Sequence, residues 1–230
     1  MRLTINALSA IMLAITLCMP AAAADYKVVI DAGHGGVDQG VQLSRSVYEK
    51  DVTLAIAAKI QFLLASNGQI SAVLTRANDL DISLDDRKNI ARSANADLFI
   101  SLHINAGFGM KASGYEIYFT GFQSEAGKES DAKDVVDAML GTSYVNNSIR
   151  FANIVDRELG KVFRREGRGL RSAPVAVLGN LPMPGVLIEL GFASNVKNRD
   201  LLLDEVVQQK TAEVIVESVR EYFSLSGPVS

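Results

Sequence analysis

Residues 98–105 read "LFISLHIN", and how this stretch is read decides the fold. The run from Leu98 to Leu102 is largely apolar, and "ADLFISLHIN" is too short for a buried helix. It suits a strand covered on both faces. The run ends on His103 and Asn105. The chain has only two histidines, so the place of each is informative.

The same pattern recurs upstream. "YKVVIDAGHGG" (26–36) begins with a β-branched run and breaks at Gly33. Tyr26 to Ala32 is read as a buried strand, with a glycine loop carrying His34 at its end. Between the two lie a helix, a strand and a second helix. In "KDVTLAIAAKIQFLLASNG" (50–68), Leu54, Ile56, Ala57, Ile60, Leu63 and Leu64 recur at helical spacing up to the Asn67-Gly68 stop. "QISAVLTR" (69–76) is a strand, and "SLDDRKNIARSANA" (83–96) starts with Ser83 three residues before Asp86, close to a capping box. "SGYEIYFTG" (113–121) alternates and is a fourth strand. Residues 120–146 are polar and irregular, with a short helix expected around Lys133 to Leu140. "NNSIRFANIVDRELGKVF" (146–163) is an amphipathic helix. "APVAVLGN" (173–180) and "PGVLIELGF" (184–192) read as two further strands, and "LLLDEVVQQKTAEVIVESVREYF" (201–223) contains a closing helix. The order implies an α/β domain: one mostly parallel central sheet with helices on both faces.

Residues 1–24 stand apart. One basic residue, Arg2, precedes an apolar stretch from Ala7 to Met19 and small residues up to Ala24. This is the pattern of a secretory signal peptide cleaved near Ala24. The apolar part is short for a spanning helix, so no membrane span is expected after cleavage. Leu17 is too large for lipoprotein processing at Cys18, the chain's only cysteine. Cleavage removes that thiol, so no disulfide and no thiolate metal site is expected in residues 25–230. An exported chain without disulfides fits a bacterial periplasm or exterior. The formal net charge of -3 gives no reason to expect nucleic acid. The mature part is read as one domain and a monomer.

His34 and His103 both lie at the C-terminal ends of apolar strands, where α/β sheets form their sites. A single such histidine is an ordinary polar residue. Two in equivalent positions point to a metal, and a hydrolytic zinc takes three His, Asp or Glu ligands and keeps one position for water. The third ligand is a carboxylate near the same edge. Glu49, just before the first helix, ranks slightly above Asp38 and Asp31 on position alone, although an acidic group also suits a helix N-terminus. Glu189 interrupts "GVLIELGF" (185–192), where a charge is costly unless paired or functional. It is either a structural ion pair or a general base.

Several blocks, in order, resemble the zinc-dependent N-acetylmuramoyl-L-alanine amidases, which trim bacterial peptidoglycan: "VVIDAGHGGVDQG", "YEKDVTLAIA", "LTRANDLDISLDDRKNIARSANADLFISLHINA", "SGYEIYF" and "RGLRSAPVAVLGNLPMPGVLIELGFASN". The resemblance runs from about Tyr26 to Phe223. It implies that His34, Glu49 and His103 are the zinc ligands, one ion per chain, and that Glu189 is the catalytic glutamate. It implies cleavage between N-acetylmuramic acid and the L-alanine of the stem peptide. Asn105 and the backbone of Gly35 and Gly36 either orient that substrate or shape the loop, and Asp31 is a candidate to orient a histidine ligand. Residues 121–146 fall between two blocks. In some relatives an inserted helix there occludes the zinc until a protein activator displaces it; here Val135, Val136, Met139 and Leu140 could form one helical face and Glu125 or Glu129 reach the metal, or the segment is a surface loop with one short helix. "KVFRREGRGLR" (161–171) is read as a helix C-terminus and solvated face rather than as a site.

Overall fold

A computed structural model describes residues 26–66, 68–121, 132–163 and 167–225. The expected signal peptide, Glu125, Glu129, Arg164 and Arg165 lie outside the described residues. Six strands form one sheet in the order β2-β1-β3-β6-β4-β5. β1 (Tyr26–Ala32), β2 (Ile70–Leu74), β3 (Leu98–Asn105) and β6 (Gly185–Phe192) run parallel to one another. β4 (Glu116–Phe119) is antiparallel to β6, and the three-residue edge strand β5 (Leu170–Ser172) is parallel to β4. The mostly parallel sheet is the one the apolar runs predicted.

The two faces are covered unequally. α1 (Glu49–Ala65), α3 (Ala132–Val162) and α5 (Glu205–Ser224) pack on one face, where Val28, Ile30, Leu98, Ile100, Leu102 and Ile188 meet Ile56, Ile60, Phe151, Val155 and Ile215. The other face is a smaller cluster around Val29, Phe99 and Leu187, closed by Ala91 of α2 (Leu84–Ser93) and by Val177 and Leu178. After β1 the chain crosses through α1 to β2. After β2 it crosses back through α2, on the opposite face, to β3. The order therefore reverses between β1 and β3, and a crevice opens outside their C-terminal ends.

Local signals explain most boundaries. Ser83 Oγ accepts the Asp86 amide at 3.1 Å and caps α2. Asp51 accepts the Tyr48 amide at 2.8 Å at the start of α1. The closing segment divides into α4 (Val196–Leu203) and α5 because Asp204 accepts the Val206 amide and starts a new helix. Two expectations are corrected. "APVAVLGN" is not a strand; residues Ala176–Leu178 form a 3-10 turn, which buries Val177 and Leu178 face-on against the sheet. Pro174 removes a ladder donor, and Asn180, at φ 58°, turns the chain out of the run. The short helix expected at Lys133 to Leu140 is present, but the residues after it are not irregular: all belong to α3, 31 residues long and unbroken to Val162. The described side chains on its first half are mainly exposed, and beyond Leu140 no apolar face announced that the helix continues.

Candidate metal centre

The crevice brings together the two histidines and one of the three competing carboxylates. Glu49 opens α1 and is 2% exposed. Its Oε1 lies 3.1 Å from His34 Nε2 and 3.0 Å from His103 Nδ1. The three ligand atoms all lie within 4.8 Å of one another. Ligands of a tetrahedral zinc stand about 3.3 Å apart, given metal–ligand bonds of about 2.0–2.1 Å. The donor set of two imidazole nitrogens and one carboxylate oxygen therefore fits such an ion.

The surroundings fix each ligand. Glu49 Oε1 also accepts the Ile104 amide at 2.8 Å, and Oε2 accepts the Val41 amide at 3.0 Å. Burial alone would raise the Glu49 carboxyl, but hydrogen bonds to His103 and His34 outweigh it and hold the group down at about 2. Burial would lower His34, yet Glu49 and then Asp38 push it up to about 9. A cation entering between them must displace that proton. Asp38 Oδ2 lies 2.8 Å from His34 Nδ1, which fixes the ring and leaves Nε2 facing Glu49. Asp38 is thus the ring-orienting carboxylate.

Asp31 is not. It is buried, and its carboxylate accepts Thr75, Arg87 and Ser101 at 2.7–2.8 Å. Its reach to the site is indirect. Arg87, held by Asp31, donates to the His34 carbonyl at 2.7 Å, and Arg76 donates to the carbonyls of Ala32, Gly33 and Lys50. These two buried arginines clamp the loop after β1. His34 sits in the left-handed region at φ 58°, a conformation that costs a non-glycine residue and persists only where neighbours impose it.

Close approach accounts for two glycines. A Cβ on Gly33 would come within 2.5 Å of His103 Cε1, and one on Gly40 within 2.5 Å of Glu49 Oε2. The amide of Gly35 donates to Asp38 O at 2.8 Å and that of Gly36 to Asp79 Oδ1 at 2.7 Å. Asn105 Oδ1 accepts the Gly107 amide at 2.9 Å. These three candidates for substrate contact thus spend these groups on the loops themselves.

Glu189 lies on β6 directly opposite His103 of β3. Its Oε2 is buried and has no hydrogen-bond partner. Burial, the largest cause, pushes its carboxyl up to about 7; His103 pulls down, and Glu49 and Glu116 push up. Among the described residues Glu189 forms no ion pair of the structural kind weighed for it. On its other side Glu189 is registered with Glu116 of β4. Glu116 binds Arg168 and Arg171, two residues read from sequence as a solvated face. Only the alternation of "SGYEIYF" hinted at Glu116.

Comparison with known proteins identifies the family and agrees with the fold. The N-acetylmuramoyl-L-alanine amidase family profile matches residues 28–221. Escherichia coli N-acetylmuramoyl-L-alanine amidase AmiA is 32% identical over 219 residues, covering 85% of this chain and 75% of AmiA. The crystal structure of N-acetylmuramoyl-L-alanine amidase from Clostridium difficile superposes with a TM-score of 0.74 at 31% identity, covering 90% of this chain and 100% of that one. The CwlD amidase of Clostridioides difficile, solved in complex with the GerS lipoprotein, gives a TM-score of 0.71 at 28% identity over 87% of this chain and 99% of that one. With its sheet, its His-Glu-His cluster and its buried Glu189 in place, this chain belongs to the N-acetylmuramoyl-L-alanine amidase family of hydrolases.

Proposed function

We propose that this protein hydrolyses the amide between N-acetylmuramic acid and the L-alanine of the peptidoglycan stem peptide, using zinc held by His34, Glu49 and His103 and Glu189 as general base. The observation that carries the reading is Glu189 Oε2, buried and unpartnered on the strand beside His103. Such an atom costs stability, and a proton acceptor is the use for which it must stay free. Bound zinc supplies polarisation of the scissile carbonyl and acidification of water. The chain does the rest. Asp38 and Glu49 set the histidine rings. Glu189 takes a proton from the attacking water and returns it to the departing amine.

Residues 1–24 act as a signal peptide, and the enzyme works in the periplasm or outside the cell. No helix among the described residues is long and apolar enough to cross a membrane. Protein purified from its exported fraction should begin at Asp25 and carry one zinc per chain. On purified peptidoglycan it should free whole stem peptides, read by mass spectrometry. Cuts within the stem would make it a peptidase, and neither zinc nor product would leave a binding protein.

Segment 121–146 is a regulatory insertion that a protein activator acts on. Val136, Met139 and Leu140, at helical spacing on the first half of α3, are 54%, 68% and 47% exposed, an apolar stripe of the kind a protein partner covers. The GerS complex shows a partner on an amidase of this fold. Deleting 121–146 should raise basal hydrolysis severalfold; unchanged or lower activity in a folded deletion would remove the regulatory role.

A further inference from the structure

A buried glutamate one strand beyond Glu189, and two arginines at the edge strand after it, are given no role in the reaction above. Glu116 is 4% exposed. Its Oε1 accepts Arg168 Nε at 2.8 Å and lies 2.9 Å from Arg171 Nη2. Its Oε2 accepts the Tyr118 hydroxyl at 2.8 Å and stands 3.5 Å from Asn105 Nδ2. The Arg168 guanidinium also lies over the Phe192 ring, 5.1 Å from its centre.

The charge does not balance. Among the described residues Glu116 is the one carboxylate paired with either guanidinium group, and it is shared by both, so the two arginines carry more charge than their ion pairs neutralise. Both arginine side chains are 41% exposed. Each is held by Glu116 at one end of its planar fork and partly exposed beyond it, Arg168 with one face over Phe192. If Glu116 served only to tie down the edge strand β5, one arginine would suffice.

The register aims this cluster at the metal centre. His103, Glu189 and Glu116 form one cross-strand row over β3, β6 and β4, and Leu187, Tyr118 and Arg171 pair in the next row over β6, β4 and β5. Residues opposite each other, or two apart, share a face. His103, Glu189, Glu116, Tyr118 and Arg171 therefore project from one side of the sheet. Neighbouring strands are about 5 Å apart, so β5 lies about 10 Å from Glu189. An extended peptide advances about 3.3–3.6 Å per residue, and an arginine reaches part of the way back.

We propose that Arg168 and Arg171, positioned by Glu116, form a subsite for a free carboxylate of the stem peptide, one or two residues beyond the bond that is cut. Arginine suits the task because its planar fork pairs with both carboxylate oxygens. Glu116 holds the forks in place before the ligand arrives, which lowers the ordering cost of binding. The subsite rests on the amidase reading given above, and the test separates the two.

Two soluble N-acetylmuramoyl peptides would be compared, identical except that the carboxylate of the second stem residue is free in one and amidated in the other. Binding is read by calorimetry on the zinc-loaded Glu189→Gln protein, which keeps the ligand intact. The free acid should bind about tenfold tighter, the worth of one charge-assisted pair. Arg171→Gln in the same background should abolish most of that preference, and Arg171→Lys, which keeps charge but loses the fork, should retain part of it. Thermal unfolding confirms that both variants are folded. Equal binding of acid and amide, no binding of either, or a preference that survives Arg168→Gln and Arg171→Gln together overturns the subsite. Cleavage by the unmutated enzyme is scored separately. Cleavage of both peptides with the same kcat/KM overturns the subsite alone; cleavage of neither, with peptidoglycan also untouched, overturns the amidase reading.

Discussion

Glu189→Gln should keep its zinc and lose turnover about 10³-fold, within the range a positioned proton-transfer group supplies. Glutamine fills nearly the same volume, so β6 keeps its packing, but its amide cannot accept a proton. Metal content and kcat on peptidoglycan fragments check both halves; turnover within tenfold of wild type would take Glu189 out of the mechanism. The same variant has a thermodynamic signature. The carboxyl, ordinarily near 4.5, is held at about 7 in the folded protein, mainly by burial. Between those values the unfolded chain loses a proton that the folded chain keeps, so rising pH favours unfolding. The penalty grows from about pH 4.5, levels off above about pH 7, and amounts to roughly 2–3 kcal/mol once partial solvent access is allowed for. With zinc removed by a chelator, the variant should be the more stable protein at pH 8, and the two should converge below pH 4.5. A difference that does not change with pH would contradict the buried, unpaired state of Oε2.

Glu49→Ala should fail more completely. The carboxylate is a ligand in the proposed centre, and it also accepts two backbone amides and faces both histidines. Truncation strands those partners, and breaking a buried charged cluster from one side costs about 3–5 kcal/mol. Urea unfolding of the metal-free proteins should show that loss, and zinc titration should show no stoichiometric binding. Glu49→Gln keeps a carbonyl oxygen for only one of the two amides and turns its NH2 toward the other, so it should recover part of the stability while still binding zinc weakly. If Glu49→Ala unfolds at the wild-type midpoint, the carboxylate is not the hub described.

Much of this was legible in the chain itself. β1, β3 and β6 are apolar runs bounded by turn residues. Their ends carry both histidines, and Glu189 stands out as a charge inside such a run. What escaped reading depended on neighbours distant in sequence. The choice among Glu49, Asp38 and Asp31 needed the α1 start brought beside β3, some 54 residues away; position alone ranked them almost equally, and only the family resemblance separated them. Asp38, four residues from His34, turned out to be the ring's partner, and Asp31 the anchor of Arg87. β5 is three residues long with an arginine at its centre, so neither hydropathy nor alternation marks it. The apolar stretch at 174–178 misled for the opposite reason, since a buried 3-10 turn and a buried strand have the same composition over five residues.

The centre joins three points of the chain, at residues 34, 49 and 103. A chain whose only cysteine is Cys18 can close no disulfide within itself. An ion gripped at those points would act as its covalent-like staple, tying two successive loops and limiting the freedom of the unfolded chain. Unlike a disulfide, that staple ignores reductants and yields to acid or to competing chelators. The durability of this domain would then follow the metal supply of its surroundings rather than their redox state.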